Sequence, residues 1–165
     1  MQHSRHFLLM FLSLLFLFIP PAAAISAPQK PTVSADTTTF DENTGRYHLT
    51  GHVTVIFDNR ITQMDDAQVS ATELEIWGQG NVQMHVGDDI YFTADAVCLE
   101  GFTPAAVLFG RVALQHPGLI IRAESANCNW NEHTVTFYGH VVCIEKGKET
   151  VAETLTYDME ENRIK

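Results

Sequence analysis

The chain has 165 residues, of which 45% are hydrophobic and 18% are charged, a composition that suits a single globular domain with a sizeable core. It carries 20 Asp and Glu residues against 10 Lys and Arg residues, which gives a net charge of −10. This acidity excludes the basic footprint that nucleic-acid binding requires, and it disfavours simple electrostatic docking on anionic lipid headgroups.

The first segment has the features of a secretory signal peptide. Arg5 precedes an apolar run over residues 7–19, and the small residues 22–24 follow it. That run is shorter than the roughly 20 residues of a membrane-spanning helix, so a retained anchor is the weaker interpretation. We predict a signal peptide over residues 1–24, with cleavage after Ala24 or Ser26, then a linker over 25–31 and one domain over 32–165.

The rest of the chain is a repeat with a period of 29 or 30 residues. Each unit opens on a small or apolar residue followed by a carboxylate, and a Gly-x-Val triplet begins 16 residues later in the first four units. Self-similarity at a fixed period of this size is the signature of a repeat architecture. The opening pairs are Ala35-Asp36, Met64-Asp65, Ala94-Asp95, Ala123-Glu124 and Ala152-Glu153, and the glycines are Gly51, Gly80, Gly110 and Gly139.

Apolar and polar residues alternate through each unit, which is typical of a strand with one buried face. All units keep the same parity, and a slip of one residue would turn every apolar stripe to solvent. We therefore predict an all-β stack of antiparallel strands, two per unit, around one interior. The first unit also places Tyr47 and Phe57 on the inward face. The main inward set is Leu49, Val53, Val55, Ile76, Val82, Met84, Leu108, Val112, Leu114, Val135, Phe137 and Val141.

The glycine and acidic columns have structural interpretations. A glycine recurring once per unit within a strand indicates a bend or bulge. A carboxylate at a strand start accepts backbone N–H groups, and we prefer this turn chemistry to a metal-binding ladder. Gly78 faces inward, which predicts a locally widened interior. The histidines do not converge as metal ligands, and no catalytic motif is present, so we expect neither a metal site nor an enzyme.

The three cysteines are an odd number for an oxidising compartment. Cys128 and Cys143 fall on otherwise apolar columns, where they either form a disulfide or remain two buried thiols. Cys98 falls on a polar column. The apolar stripes have two interpretations as well, because a packed core and a lipid-holding groove produce the same periodicity.

The repeated Ala-Asp, hairpin and Gly-x-Val pattern over residues 33–165, behind a signal peptide, resembles the OstA-like family of lipopolysaccharide-transport proteins, which includes LptA and domains of LptC and LptD. The resemblance implies a stacked antiparallel β-jellyroll, open along one side, in a periplasmic protein. Its twelve inward residues would bind the acyl chains of lipid A. No cofactor is implied.

What the resemblance implies is a non-enzymatic carrier that passes lipopolysaccharide or a similar amphiphile between the inner and outer membranes. Headgroup contacts are left to solvent, to divalent cations, or to Arg46, Arg111 or Arg122. The rival hypothesis is a structural or adhesive exported β-repeat protein with a solid core and no lipid.

The incomplete fifth unit suggests how such a stack would associate. Both ends would leave strands with unpaired backbone groups, and the last rung has no evident cap. We predict head-to-tail self-association, or capture of an OstA-like partner domain, through strands near residues 33–40 and 150–157.

Overall fold

The computed structural model describes residues 31–70, 72–100 and 105–165, so the predicted signal peptide lies outside the described residues. Within them, eleven strands form one antiparallel sheet, which confirms the predicted fold class. Apart from the first unit, the strand that precedes each Gly-x-Val strand is about as long as it, whereas a shorter one was expected. The strands are β1 (Thr32–Ser34), β2 (Thr37–Asp41), β3 (Arg46–Phe57), β4 (Arg60–Ser70), β5 (Glu75–Val86), β6 (Ile90–Glu100), β7 (Ala105–His116), β8 (Leu119–Asn129), β9 (Thr134–Glu145), β10 (Lys148–Asp158) and β11 (Arg163–Ile164).

From β3 to β10 the strands lie side by side in chain order. At one end of the sheet, β1 and β2 both pair with β3 and together form a single broken rung. At the other end, β11 pairs with Tyr157 and Asp158 of β10, so the last rung has a partial cap, contrary to the prediction of an uncapped rung. Because every pairing is antiparallel, the edge strands β1, β2 and β10 all run in the same direction.

A bulge interrupts every second strand at the Gly-x-Val triplet. On β5, Gly80 and Asn81 both have positive φ angles, 78° and 46°, and the register with β6 shifts at this point. The same pair of positive φ angles recurs at the other three triplets. An extra residue on one strand bends the sheet locally. The glycine column is therefore a structural corner, as predicted.

The corner divides the sheet into two leaves. Leaf A contains the strand halves next to the turns at residues 42–45, 72–74, 130–133 and 159–162, and leaf B contains the halves next to the turns at 58–59, 87–89, 117–118 and 146–147. The two leaves fold onto each other, so the jellyroll has a bulged corner on one side and an open side where the turns of the leaves meet.

Three contacts establish that the leaves face each other across the interior. Near the corner, the Sδ atom of Met64 on leaf B fills the space above Gly78 on leaf A. At the open side, the guanidinium carbon of Arg60 lies 4.6 Å from the ring centroid of Trp130. The rings of His116 and Tyr157 lie 6.4 Å apart. The last two pairs join strands three or four places apart in the sheet, which indicates that the leaves cross at an angle.

The core lies between the leaves and is built from the inward faces of both. Tyr47 and Phe57 are exceptions to the predicted burial, being 41% and 36% exposed. Tyr47 lies on β3 in leaf A, next to the end of the sheet, where only β2 lies beyond it. Phe57 lies at the open side, where β3 ends.

Candidate functional site

The structure brings all twelve predicted inward residues together between the leaves. Each is at most 7% exposed, and nine of them are at most 1% exposed. A water-sized sphere therefore hardly reaches them, and the interior is packed in this conformation. An acyl chain could reach these side chains only if the leaves separated, and lipid binding by them stays a prediction.

The apolar interior reaches solvent at the end formed by β2 and β3. Phe40, Tyr47, Val69 and Ile76 are successive cross-strand neighbours on the inward face of leaf A. Their exposure falls from 53% at Phe40 and 41% at Tyr47 to 7% at Ile76. The Phe40 and Tyr47 rings pack together at 4.9 Å. One apolar row thus runs without interruption from the surface into the core.

The open side carries a cation, Arg60, that sequence reasoning missed. Its guanidinium carbon lies 4.9 Å from the ring centroid of Phe57, in addition to the contact with Trp130, and its Nε donates to the Phe57 carbonyl at 3.4 Å. Burial lowers the pKa of Arg60, and nearby Asp58 opposes this by favouring the charged form. The alternation along β4 could have indicated its inward position, because Arg60 lies on the same face of the strand as Thr62 and Met64, which are buried.

The three arginines predicted as possible headgroup contacts lie outside the interior, unlike Arg60. Arg46 bonds Glu73 at 2.9 Å, and Arg111 donates through Nε to the Asp95 carboxylate at 3.0 Å. Arg122 is exposed and pairs with Ala113 and Val142 away from the core. None of these three faces the interior.

The acidic column lies at the corner: Asp36 stands between β1 and β2, and the later members lie in the middle of β4, β6, β8 and β10. Each carboxylate that forms a hydrogen bond here does so with the side chain that follows the next glycine, so the predicted role in capping strand starts was wrong. The pairs are Asp36 with His52 Nδ1 at 2.7 Å, Asp65 with Asn81 Nδ2 at 2.8 Å, and Asp95 with Arg111 Nε at 3.0 Å.

These carboxylates also explain the glycines beside them. A Cβ atom added to Gly51, Gly80, Gly110 or Gly139 would lie 2.5–2.6 Å from a carboxylate oxygen of the preceding acidic residue. These hydrogen bonds change the pKa values of His52 and Asp95. Hydrogen bonding to Asp36 raises the pKa of His52, and hydrogen bonding from Arg111 lowers the pKa of Asp95.

All three cysteines are free and buried thiols, so Cys128 and Cys143 do not form the disulfide that was one of the two alternatives. They lie on different leaves.

Cys98 was expected on a polar column but is only 4% exposed. The rings of Trp77 and Phe109 stack across β6 at 6.0 Å, above this thiol. Cys98 Sγ donates to Glu75 Oε1 at 3.2 Å, and burial raises the pKa of the thiol to about 12.

Two further searches cover only the described part of the chain. It contains no cluster of three or more His, Cys, Asp or Glu side chains placed to hold a metal ion. Nor does that part of the chain include a helix with the length and apolar character needed to cross a membrane.

No family model and no curated protein matches the chain. Among solved structures, it is similar to the crystal structure of LptH, the LptA-homologous periplasmic component of the conserved lipopolysaccharide transport device from Pseudomonas aeruginosa. The match covers 83% of this chain and 81% of that one, with 13% sequence identity and a TM-score of 0.35. So distant a likeness carries no functional conclusion, and the fold assignment rests on the strand pairings described above.

Proposed function

We propose that this protein is an exported carrier that holds the acyl chains of lipopolysaccharide or a similar amphiphile between its leaves and passes the lipid across the periplasm. The observation that supports this most directly is the apolar row on leaf A, which continues from the solvent-exposed Phe40 and Tyr47 into the core at Ile76. Apolar surface that is exposed to solvent and continuous with the core is typical of a binding site, and a purely structural core does not account for it.

The way the leaves are joined also supports a carrier. The backbone hydrogen bonds of the described residues run between neighbouring strands, within a turn, or between neighbouring turns of the same leaf. At the open side, the leaves meet through side chains, including Arg60 with Trp130 and His116 with Tyr157. Separating the leaves there would break side-chain contacts while preserving the sheet. A lipid chain could then enter along the open side.

The sheet edges support docking of a partner domain. Residues 156–158 of β10 are covered by β11 and Lys165, and the rest of β10 presents its outer edge. Glu153, the fifth residue of the acidic column, lies on this strand. Because β1, β2 and β10 run in the same direction, a second copy that docked its first rung onto β10 would pair in parallel. An OstA-like partner strand antiparallel to β10 would continue the existing pattern and is the occupant that we favour.

Photo-crosslinking at two adjacent aromatic positions tests the carrier function. Phe137 is fully buried between the leaves, whereas Tyr138 points outward and is 45% exposed. A benzophenone amino acid at position 137 should capture lipid in the native host, and the same group at position 138 should capture little. Mass spectrometry of the adducts would identify the lipid. Equal labelling at both positions, or none at 137 in a folded variant, would favour the rival structural or adhesive protein with a solid core.

A further inference from the structure

The position of Arg60 at the rim of the interior sets it apart from the other arginines. It is the first residue of β4, and it pairs with Phe57 on β3 and Val86 on β5. Thr62 and Met64, which follow at the same parity, are each 3% exposed within the interior. The Arg60 side chain therefore leaves the sheet on the inward face and reaches across the open side to the turn after β8.

Two aromatic rings hold the guanidinium in place. The Phe57 and Trp130 centroids lie 4.9 Å and 4.6 Å from its central carbon, within the range of cation–π contacts. This placement removes water from part of the group while keeping its charge. An interaction with an anion is stronger in such partly dehydrated surroundings than on an open surface.

Arg60 also has hydrogen-bonding capacity to spare. A guanidinium has five N–H donors, and one of them, Nε–H, bonds the Phe57 carbonyl. Arg46, Arg111 and Arg163 form ion pairs with carboxylates, but no ion pair among the described residues includes Arg60. No buried side-chain nitrogen or oxygen among those residues lacks a partner, so the remaining donors reach solvent at the open side. In a chain with 20 acidic residues, Arg60 forms no ion pair within the described part, although Asp58 lies near enough to favour its charged form.

We propose that Arg60 binds the phosphate or carboxylate of an anionic amphiphile whose chain lies between the leaves. A guanidinium can donate two parallel hydrogen bonds to either group. The apolar interior begins at the neighbouring positions, so one molecule can place its anionic group on Arg60 and its chain against the inward residues. This inference rests on the proposed carrier function. It adds that Arg60 recognises the anionic group of the cargo and that this headgroup lies at the open side, between β4 and the turn after β8.

Matched lipids and matched variants test the role of Arg60. Dioleoylphosphatidic acid and dioleoylglycerol have the same chains and differ in the phosphate. Displacement of a fluorescent diacylglycerol, a probe without an anionic group, would give the affinity of each lipid. Arg60→Gln should weaken phosphatidic acid binding about 10- to 100-fold, as expected for the loss of charge-assisted hydrogen bonds, and should leave dioleoylglycerol binding unchanged. Arg122→Gln is the matched control, and it should change neither affinity.

One further variant and two further ligands separate recognition of a lipid phosphate from recognition of a free phosphate. Arg60→Lys, which keeps the charge but loses the planar fork, should show a smaller loss for phosphatidic acid, and it serves if Arg60→Gln fails to fold. If Arg60 recognises a lipid phosphate, Arg60→Gln should weaken the binding of lipid A as it weakens the binding of phosphatidic acid. Glycerol 3-phosphate should compete poorly, and competition at concentrations similar to those of phosphatidic acid would overturn the assignment to a lipid.

The outcomes distinguish this inference from the function on which it rests. If the wild-type protein binds these lipids and Arg60→Gln binds phosphatidic acid as tightly as the wild type, the role of Arg60 is overturned and the carrier function stands. If the wild-type protein binds no lipid at all, the carrier function fails, and the inference fails with it.

Discussion

The side chain of Met64 occupies the space that a side chain at Gly78 would need. A Cβ atom added to Gly78 would overlap the Met64 Sδ atom, which reaches it from the opposite leaf. In the other repeats the position of Met64 holds alanine and the position of Gly78 holds Leu49, Leu108 or Phe137. The large residue has therefore changed leaves in the second repeat. The interior is filled rather than widened there, contrary to the expectation from Gly78 alone.

This exchange predicts strong coupling between the two positions. Met64→Ala should destabilise the protein by about 2–5 kcal/mol through a cavity, and Gly78→Leu by about 1–3 kcal/mol through overpacking. The double variant restores the alanine and leucine combination found in the first and third repeats, so it should be more stable than the sum of the single effects implies. Urea unfolding of all four proteins measures the coupling. Additive losses would show that the residues do not share one space.

Sequence periodicity was sufficient for the strands and the inward set, because parity along a strand and the repeat spacing are local properties. The contacts of Met64 with Gly78 and of Arg60 with Trp130 depend on how the two leaves cross. That angle is a property of the assembled sheet, and residues 60 and 130 are far apart in the chain. The burial of Cys98 likewise results from two rings on the strands that flank β6. No pattern within one strand indicates any of these contacts.

The corner carboxylates predict that the bulge glycines tolerate substitution less well than turn glycines. Gly110 and Gly118 both have positive φ angles, 69° and 81°, so alanine is strained at either position. A Cβ atom at position 110 would in addition lie 2.5 Å from Asp95 Oδ2, whereas one at position 118 would have no atom within 4 Å.

We therefore expect Gly110→Ala to lower the free energy of unfolding by about 1–3 kcal/mol more than Gly118→Ala. Thermal and urea unfolding of the two variants provide the measurement. Equal losses would mean that the carboxylate moves aside freely and that only the backbone conformation matters.

The Asp36–His52 pair predicts a pH-dependent contact at the corner. The hydrogen bond from His52 to Asp36 and the nearby negative charge raise the pKa of His52 in the folded protein. A raised pKa means that the stabilisation is fully present below the unfolded-state pKa of about 6.5 and is lost as the pH rises through the folded-state value. Both side chains are exposed, so the effect on global stability should be small.

Titration of His52 by NMR provides the direct measurement. Asp36→Asn should lower the pKa of His52, and Asp36→Glu, which keeps the charge, should lower it less. The resonances of His116, which lies at the open side, serve as an internal control and should not respond. An unchanged pKa of His52 in Asp36→Asn would show that the pair does not persist in solution.

The direction of the backbone groups on β10 predicts which residues serve a docking partner. The Thr156 carbonyl accepts a hydrogen bond from the Lys165 N–H on the outer side of β10, so the backbone groups of Thr156 point away from β9. Because these groups alternate in direction along a strand, those of Thr154 also face the outer edge, whereas those of Leu155 face β9. Thr154 is therefore a donor that an incoming strand would use, and Leu155 is a donor within the sheet.

A pair of proline substitutions uses this difference. Thr154→Pro removes an outward donor without breaking the β9–β10 ladder, so the protein should remain folded but should lose most of its binding to an OstA-like partner domain. Leu155→Pro removes a donor to β9 and should lower the melting temperature as well. Crosslinking from β10 in cells, together with sedimentation of the purified protein, measures partner binding and self-association. If Thr154→Pro bound its partner as the wild type does, or if no envelope protein crosslinked to β10, docking through this edge would be wrong.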